Sequence, residues 1–394
     1  MQQVRPPIWF IYGITVCGIL ANTLLTPNVP DILADLGQPE GRAGILVASA
    51  ALPGVFIAPI IGVFADRWGR RPVLLPCMVI FGVAALLSSV APTFPLLIGA
   101  RLIQGIGSAG LINLAVVLIG DHWSGYQRTR LIGHNSAVLT VCLALVPSLG
   151  GLIAEWSSWR WALACGGIAL PMALAGVWIL PARRPDHIRS LRDQLDGARR
   201  AISDRVALAI VGTGFLLFVV VFGVFLTALP VHLEQEFGLG PGARGLVLSA
   251  PAIGSTFSAI NLARFRARFG LRPMLVGASA LVSVAALGVG IAPTVTAVVV
   301  ASVVYGLGDG SLIPNLQDAA NTASPPSQRA AVMAAWVSAV RLGQTVGPIT
   351  AAALFAATST EFTMLVGAAL FAVVAVFLAV GPISEEEIER AGAA

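Results

Sequence analysis

Residues 62 to 75 read "GVFADRWGRRPVLL", placing Asp66, Arg67, Arg70 and Arg71 between two stretches that are otherwise almost wholly apolar. A charged patch between apolar walls is the loop of a membrane hairpin when each wall is long enough to cross hydrocarbon, which takes about 20 helical residues. The apolar stretches 43 to 62 and 72 to 91 meet that length. The same pattern returns 201 residues later as "ARFRARFGLRPMLV" (263 to 276), with Arg, Gly, Arg, Pro and Leu in register. The chain reads as a unit written twice.

Composition agrees with a membrane setting. Of 394 residues, 11% are charged and 57% hydrophobic, against about 25% charged in a soluble globular chain. Twelve spans are predicted: 8 to 28, 43 to 62, 72 to 91, 96 to 117, 131 to 152, 161 to 181, 206 to 230, 245 to 263, 273 to 292, 295 to 317, 330 to 352 and 362 to 381. The first has no small-residue cleavage site and exceeds a signal-peptide core, so it is expected to be retained. No stretch is left over for a soluble domain. The expected fold class is an all-α integral membrane protein.

Short cytoplasmic loops keep their positive charge. The chain has no Lys, and of its 24 Arg, three (Arg42, Arg160, Arg244) fall in loops on one face and two (Arg101, Arg341) inside spans, leaving nineteen on the other face. That face is expected to be cytoplasmic and to hold both termini, in a multi-pass protein of the cell inner membrane. Basic residues spread by topology, rather than gathered in one patch, argue against nucleic acid as a partner. Cys17, Cys77, Cys142 and Cys165 lie in or beside apolar spans without ligand-like spacing, so neither disulfides nor a metal is expected.

The repeat runs well past the charged loop. At the same offset "APT" (91 to 93) recurs at 292 to 294, "QGIG" (104 to 107) meets "YGLG" (305 to 308), "QR" (127, 128) meets "QR" (328, 329), and "VPSLGG" (146 to 151) meets "GPITAA" (347 to 352). Six spans per copy is an even number, so both copies enter from the same side and the repeat is parallel. Two pseudo-symmetric six-helix bundles are predicted, 1 to 181 and 206 to 394, joined by a cytoplasmic linker over 182 to 205. In that linker Ile188, Leu191, Leu195 and Ile202 follow helical spacing among seven arginines, predicting an amphipathic helix on the membrane face. A plain tether is the other reading.

Polar groups in hydrocarbon must face protein or water. Spans 3, 6, 9 and 12 hold no Asp, Glu, Arg, His, Asn or Gln in their apolar interiors, which suits them to lipid contact. The polar residues gather in spans 1, 4, 5, 10 and 11, which are expected to surround a central cavity.

With these residues in hand, the chain resembles the major facilitator superfamily, and most closely its drug:proton antiporter group with 12 transmembrane helices. Residues 62 to 71 fill that family's loop pattern G-x-x-x-D-R-x-G-R-R through Gly62, Asp66, Arg67, Gly69, Arg70 and Arg71. "RLIQGIGSAG" (101 to 110) is similar to the helix 4 motif of proton-coupled members, with Arg101, Gln104 and Gly105 as counterparts. The helix 5 antiporter motif is kept in part: Gly133, Pro147, Gly150 and Gly151 match, whereas Cys142 and Val146 replace glycines. The resemblance implies alternating access, export, a role for Arg101 in proton transfer, and a cytoplasmic lock built from the loop cluster. Asn22 stands where many relatives carry a helix 1 acid.

An ionised side chain at mid-helix costs about 2.5 to 3.5 kcal/mol on insertion scales, so each one needs a partner or a task. Arg101, Asp309 and Arg341 are the three. Counted along antiparallel spans 10 and 11, Asp309 and Arg341 reach similar depth and are expected to meet, with Asp309 as proton carrier and Arg341 as the cation that favours its ionised form. A permanent ion pair pinning the two helices is the competing reading. Ser302 and Tyr305 share the Asp309 face, and Ser338 and Thr345 share that of Arg341. Arg101, with Gln104 and Ser108 on its helical face, reads equally as a donor to backbone carbonyls. Asp121 and His134 are placed at the inside gate, Gly62 is expected to let two helices approach closely, and Ala267 in the Asp66 position makes the second lock unlike the first.

Helix 7 sets Phe215, Phe218, Phe222 and Phe225 at i, i+3, i+7 and i+10. Packing or lipid contact explains such a stripe, and so does a cavity wall for a lipophilic molecule, which aromatic faces bind without a fixed hydrogen-bond pattern. The candidate cavity residues are Asn22, Thr26, Gln104, Ser108, Phe218, Phe222, Tyr305, Ser338 and Gln344. A chain without Lys has no phosphate-binding G-x-x-x-x-G-K-[ST] loop, so an ion gradient is the expected energy source. The sequence thus predicts a non-enzymatic secondary transporter, a monomer in the lipid bilayer without cofactors, exchanging protons for a small-molecule substrate of drug-like character. Export of a sugar, nucleoside or other metabolite is the alternative within transport, and a membrane receptor or enzyme the alternative outside it.

Overall fold

The computed structural model describes residues 5–180, 205–323, 329–383 and 385–388, and the expected linker helix lies outside them. Twelve helical segments run in order among the described residues. They are α1 (Ile8–Asp35), α2 (Glu40–Trp68), α3 (Arg71–Ser89), α4 (Phe94–His122), α5 (Gly125–Trp156), α6 (Trp159–Ile179), α7 (Arg205–Phe237), α8 (Pro241–Phe269), α9 (Leu271–Gly290), α10 (Val295–Thr322), α11 (Arg329–Ala357) and α12 (Thr360–Val380). By length and composition, eleven of them qualify to cross a membrane among the described residues; α11 occupies the place of the remaining expected span.

Every apolar span read from the sequence is helical, and the helices mostly outrun it. The excess is uneven: α3, α6, α9 and α12 are 19 to 21 residues long, close to the hydrocarbon thickness, whereas the other qualifying segments reach 28 to 33. The four short helices carry stripes of exposed apolar side chains, such as Val79, Val83 and Leu86 on α3 and Val373, Val376, Phe377 and Val380 on α12. Similar stripes on α2, α5 and α8 (Phe56, Ile60; Val141, Leu145; Ile253, Phe257) show that lipid-suited surface is not confined to every third helix. Exposed Trp9, Trp68, Trp156 and Trp178 sit at helix ends, the interfacial position that suits an apolar ring with a polar edge.

Several segments are interrupted where the sequence dictates. In α1 a straight helix over Ile8–Thr23 gives way to a 3-10 turn, Thr26–Asn28, and a short helix, Val29–Asp35, because Pro27 and Pro30 cannot donate to the ladder. Side chains take up the carbonyls at the break: Thr26 donates to the Asn22 carbonyl at 2.7 Å, and Asn28 Nδ2 to those of Leu24 at 2.8 Å and Gly150 at 3.2 Å. In α7 the residues Val221–Ala228 form a π-helix.

The chain divides into two compact units, with Gly240–Leu246 grouped with the first and Val247 onward with the second. Each has the same internal plan. In the first, α1 packs on α5, α2 and α3 on α4, and α3 on α6; in the second, α7 packs on α11, α8 and α9 on α10, and α9 on α12. Backbone detail repeats at the sequence offset. Gly69 and Gly270 end α2 and α8 with φ of 95° and 79°, a region that a side chain strongly disfavours. A Cβ on Gly107 would meet the Cys77 carbonyl at 2.6 Å, and one on Gly308 would meet the Ala278 carbonyl at the same 2.6 Å, so the α3–α4 and α9–α10 crossings are both closed by a glycine.

Candidate functional site

Among the described residues of the first unit the most deeply buried cation is Arg101, the eighth residue of the 29-residue α4 and 0% exposed. Among the described residues no carboxylate pairs with it. One terminal nitrogen donates to the Ala21 carbonyl at 2.5 Å and to Gln104 Oε1 at 3.0 Å, and the other to Asn22 Oδ1 at 2.7 Å, while Nε has no partner. A buried charge is tolerated when neutral dipoles converge on it, and α1 supplies two of the three acceptors here. Gln104 is buried with the guanidinium, and Ser108 and Thr26 are buried with their hydroxyls committed to the carbonyls of Gly105 and Asn22. Of these residues only Asn22 is part-exposed.

The opening charged loop is organised by Arg70. Its guanidinium pairs with Asp66 at 2.7 Å and with Asp121, at the end of α4, at 2.9 Å. Partial burial works against that charge, but the hydrogen bonds and charges of Asp121 and Asp66 outweigh it and hold Arg70 above its ordinary pKa. Arg67 is exposed and Arg71 part-exposed. The expectation for Gly62 needs correction: a Cβ there meets nothing within 4 Å, so the glycine does not mark a close helix approach. Gly133 is likewise open, whereas Gly150 lies against Leu24, whose Cα a Cβ would meet at 3.0 Å, and Gly151 against the Pro241 carbonyl. His134 is exposed.

In the second unit Asp309 is the fifteenth residue of the 28-residue α10, which places it at mid-helix as the sequence indicated. It does not meet Arg341. Among the described residues neither group forms an ion pair, and Asp309 Oδ1 is buried with no hydrogen-bond partner. The polar group beside the carboxyl is the Tyr305 hydroxyl, one turn earlier. Tyr305 is itself buried and stacks on Phe225 with ring centroids 3.6 Å apart. Ser302 is buried with its hydroxyl unpartnered, and Thr345 donates to the Arg341 carbonyl at 3.0 Å. Ser338 and Gln344 are part-exposed.

The aromatic stripe of α7 is not one surface. Phe215, Phe218 and Phe222 are part-exposed, with Phe218 and Phe222 rings 6.2 Å apart, whereas Phe225 turns into the unit against Tyr305. The π-helix supplies the physical reason: its wider turn shifts the side-chain register within the stripe. The second unit also has its own loop bridge. Arg266 on α8 reaches Asp318 on α10 at 2.5 Å and Asn315 at 3.4 Å, so the loss of the acid at Ala267 is met from another position.

Three arrangements escaped the sequence reading. Thr15 donates to Asn135 at 2.7 Å, a buried link between α1 and α5. Arg244, assigned to a loop, is 1% exposed and pairs with Asp31 within the first unit. His232, near the end of α7, is 2% exposed and bonds to Thr360. The only sequence signal for any of them was a polar residue beside an apolar run.

The chain is thus a duplicated helical scaffold with membrane-suited outer surface and polar groups buried inside its helices. The sequence profile of the Major Facilitator Superfamily matches residues 11–240 and 211–393, and the chain belongs to that superfamily. It is 28% identical to the putative multidrug resistance protein MdtD of Cronobacter sakazakii, over 46% of this chain and 38% of that one. It is 29% identical to the bacillibactin exporter of Bacillus subtilis, over 35% and 36%. The matched part of this chain spans only 26% to 38% of the length of such curated relatives. Among solved structures, a bacterial homologue of the human lysosomal transporter Spinster superposes with a TM-score of 0.78 at 15% identity, over 98% of this chain and 96% of that one, a likeness of fold.

Proposed function

We propose that this protein is a proton-coupled exporter of small lipophilic molecules, working by alternating access as a twelve-span monomer of the cell inner membrane with both termini in the cytoplasm. Asp309 carries the observation on which the proposal rests: a mid-helix carboxyl with one oxygen buried and unpartnered and no ion pair. A permanent structural charge would have its countercharge beside it. A carboxyl that must take up and give back a proton needs instead an oxygen that no fixed donor occupies. Arg341, on neighbouring α11 and equally without an ion pair, is the cation available to the carboxylate once the proton leaves. Arg101 holds Asn22 and Gln104 in place on the first-unit side.

Within the second unit, the part-exposed rings of Phe218 and Phe222, with Ser338 and Gln344 on neighbouring α11, suit an apolar substrate with few polar contacts. Export as the direction draws support from the printed names of the relatives, a multidrug resistance protein and an exporter. The Asp66–Arg70–Asp121 cluster serves as the cytoplasmic lock, and Gly133, Pro147, Gly150 and Gly151 as the antiporter helix.

The test is resistance of an expressing strain to a panel of cationic dyes, antibiotics and sugars, with and without a protonophore. Resistance to lipophilic members that the protonophore abolishes supports the proposal. Resistance that survives the protonophore, or protection against sugars alone, contradicts it.

A further inference from the structure

The two units brace the same corner with different chemistry. In the first, Arg160 at the start of α6 donates to the Ser89 carbonyl at 3.3 Å and the Ala91 carbonyl at 2.8 Å, at the C-terminal end of α3, and pairs with Asp35 at 3.1 Å. A cation at the carbonyl end of a helix is stabilised by the helix dipole. At the offset of 201 residues, Asp35 becomes Glu236 and Arg160 becomes Glu361, so the second unit keeps the acid and replaces the cation by a second acid.

What lies between these two acids is His232, itself the counterpart of Asp31. Burial opposes a charge on the ring, and three elements work against that cost: α7 contributes Glu236, α12 contributes Glu361 and Thr360, and α9 contributes the Val289 carbonyl, in its last turn. Nδ1 lies 3.0 Å from Thr360 Oγ1. Thr360 Oγ1 also lies 3.4 Å from Gln235 Oε1, and with its hydrogen directed there Nδ1–H donates to Thr360, the tautomer in which Nε2 is free to take up a proton. Nε2 is buried and without a partner, and the Val289 carbonyl lies beside the ring.

We propose that His232 is a second proton-binding site, at the end of the second unit remote from the Arg266–Asp318 bridge. Protonation at Nε2 makes an imidazolium that donates to Val289 at the carbonyl end of α9 and sets one positive charge beside Glu236 and Glu361. It thereby supplies, only when protonated, the cation that Arg160 supplies permanently in the first unit. On the topology proposed above, this end faces outside, so acid outside braces α7, α9 and α12 together and a rise in pH releases them.

Nitrogen-15 NMR of the histidine-labelled protein in lipid nanodiscs tests this directly, since the chain has four His and His232→Gln assigns the signal. The ligand is the proton itself, varied across about pH 5 to 8, where histidine ordinarily titrates. A His232 resonance that titrates in this window, with a midpoint lowered by about half a unit or more in Glu361→Gln, is the expected result. Amide protection in 360–364, taken relative to the intrinsic exchange rate at each pH, should be higher at pH 5.5 than at pH 7.5, and His232→Gln should remove that difference. A His232 that stays neutral across the window, or a midpoint indifferent to Glu361→Gln, overturns the proposal. Neither readout involves Asp309 or transport, and Asp309→Asn should leave both unchanged, so failure here and failure of the export mechanism are separate outcomes.

Discussion

Arg101 on α4 donates to Asn22 on α1 at 2.7 Å, joining a fully buried guanidinium to a neutral amide. Because Arg101 is surrounded by dipoles rather than charges, each acceptor matters. Removing one leaves part of a buried charge unsatisfied, which costs about 1–3 kcal/mol or more. Asn22→Ala is therefore expected to lower the thermal unfolding midpoint in detergent, and Asn22→Asp to keep or raise it by turning the hydrogen bond into an ion pair. An unchanged midpoint in Asn22→Ala would show that the contact carries no stability.

The glycines that punctuate the repeat separate by backbone. Gly69 and Gly270 have φ of 95° and 79°, and forcing a side chain into such a region costs about 1–3 kcal/mol. Gly62 is helical and open. Gly69→Ala and Gly270→Ala should each reduce folded yield and thermal stability, whereas Gly62→Ala should leave both unchanged. Fluorescence-detected size exclusion after a heating series distinguishes the three.

Arg70 ties Asp66 and Asp121 together at the surface, where ion pairs contribute about 0–1 kcal/mol each. Asp121→Asn is thus expected to fold normally. Its effect should appear in the rate of dye efflux, because the contact joins the end of α4 to the α2–α3 loop. A large loss of thermal stability with unaltered efflux would assign the cluster to structure alone.

The α7 aromatics should divide by burial. Phe225 stacks on Tyr305, so Phe225→Ala opens a cavity in a packed region and should cost about 3–5 kcal/mol. Phe222 is part-exposed, and Phe222→Ala should leave stability nearly intact while changing the range of compounds resisted. Thermal unfolding and a resistance panel on the same two variants read both effects.

Much of this architecture was legible in the sequence, because hydrocarbon imposes a length and a polarity on each helix and a repeat imposes a register. The helical spans, the matching loops and the mid-helix places of Asp309 and Arg341 all follow from those constraints. Azimuth does not. Counting residues put Asp309 and Arg341 at one depth, but which way each points depends on helix rotation and packing, and they do not meet. The π-helix turned Phe225 away from the stripe its spacing described. Asp31 with Arg244, and His232 with Thr360, are contacts across 213 and 128 residues that no local pattern announces.

In the proposed function the coupled proton rides on Asp309. The most direct measurement places Asp309→Asn in proteoliposomes with a dye the wild type exports, and compares exchange at equilibrium with uphill movement driven by an imposed pH gradient. The variant is expected to bind and exchange the dye yet not to accumulate it when the gradient is applied. Uphill accumulation by Asp309→Asn at the wild-type level would contradict that role.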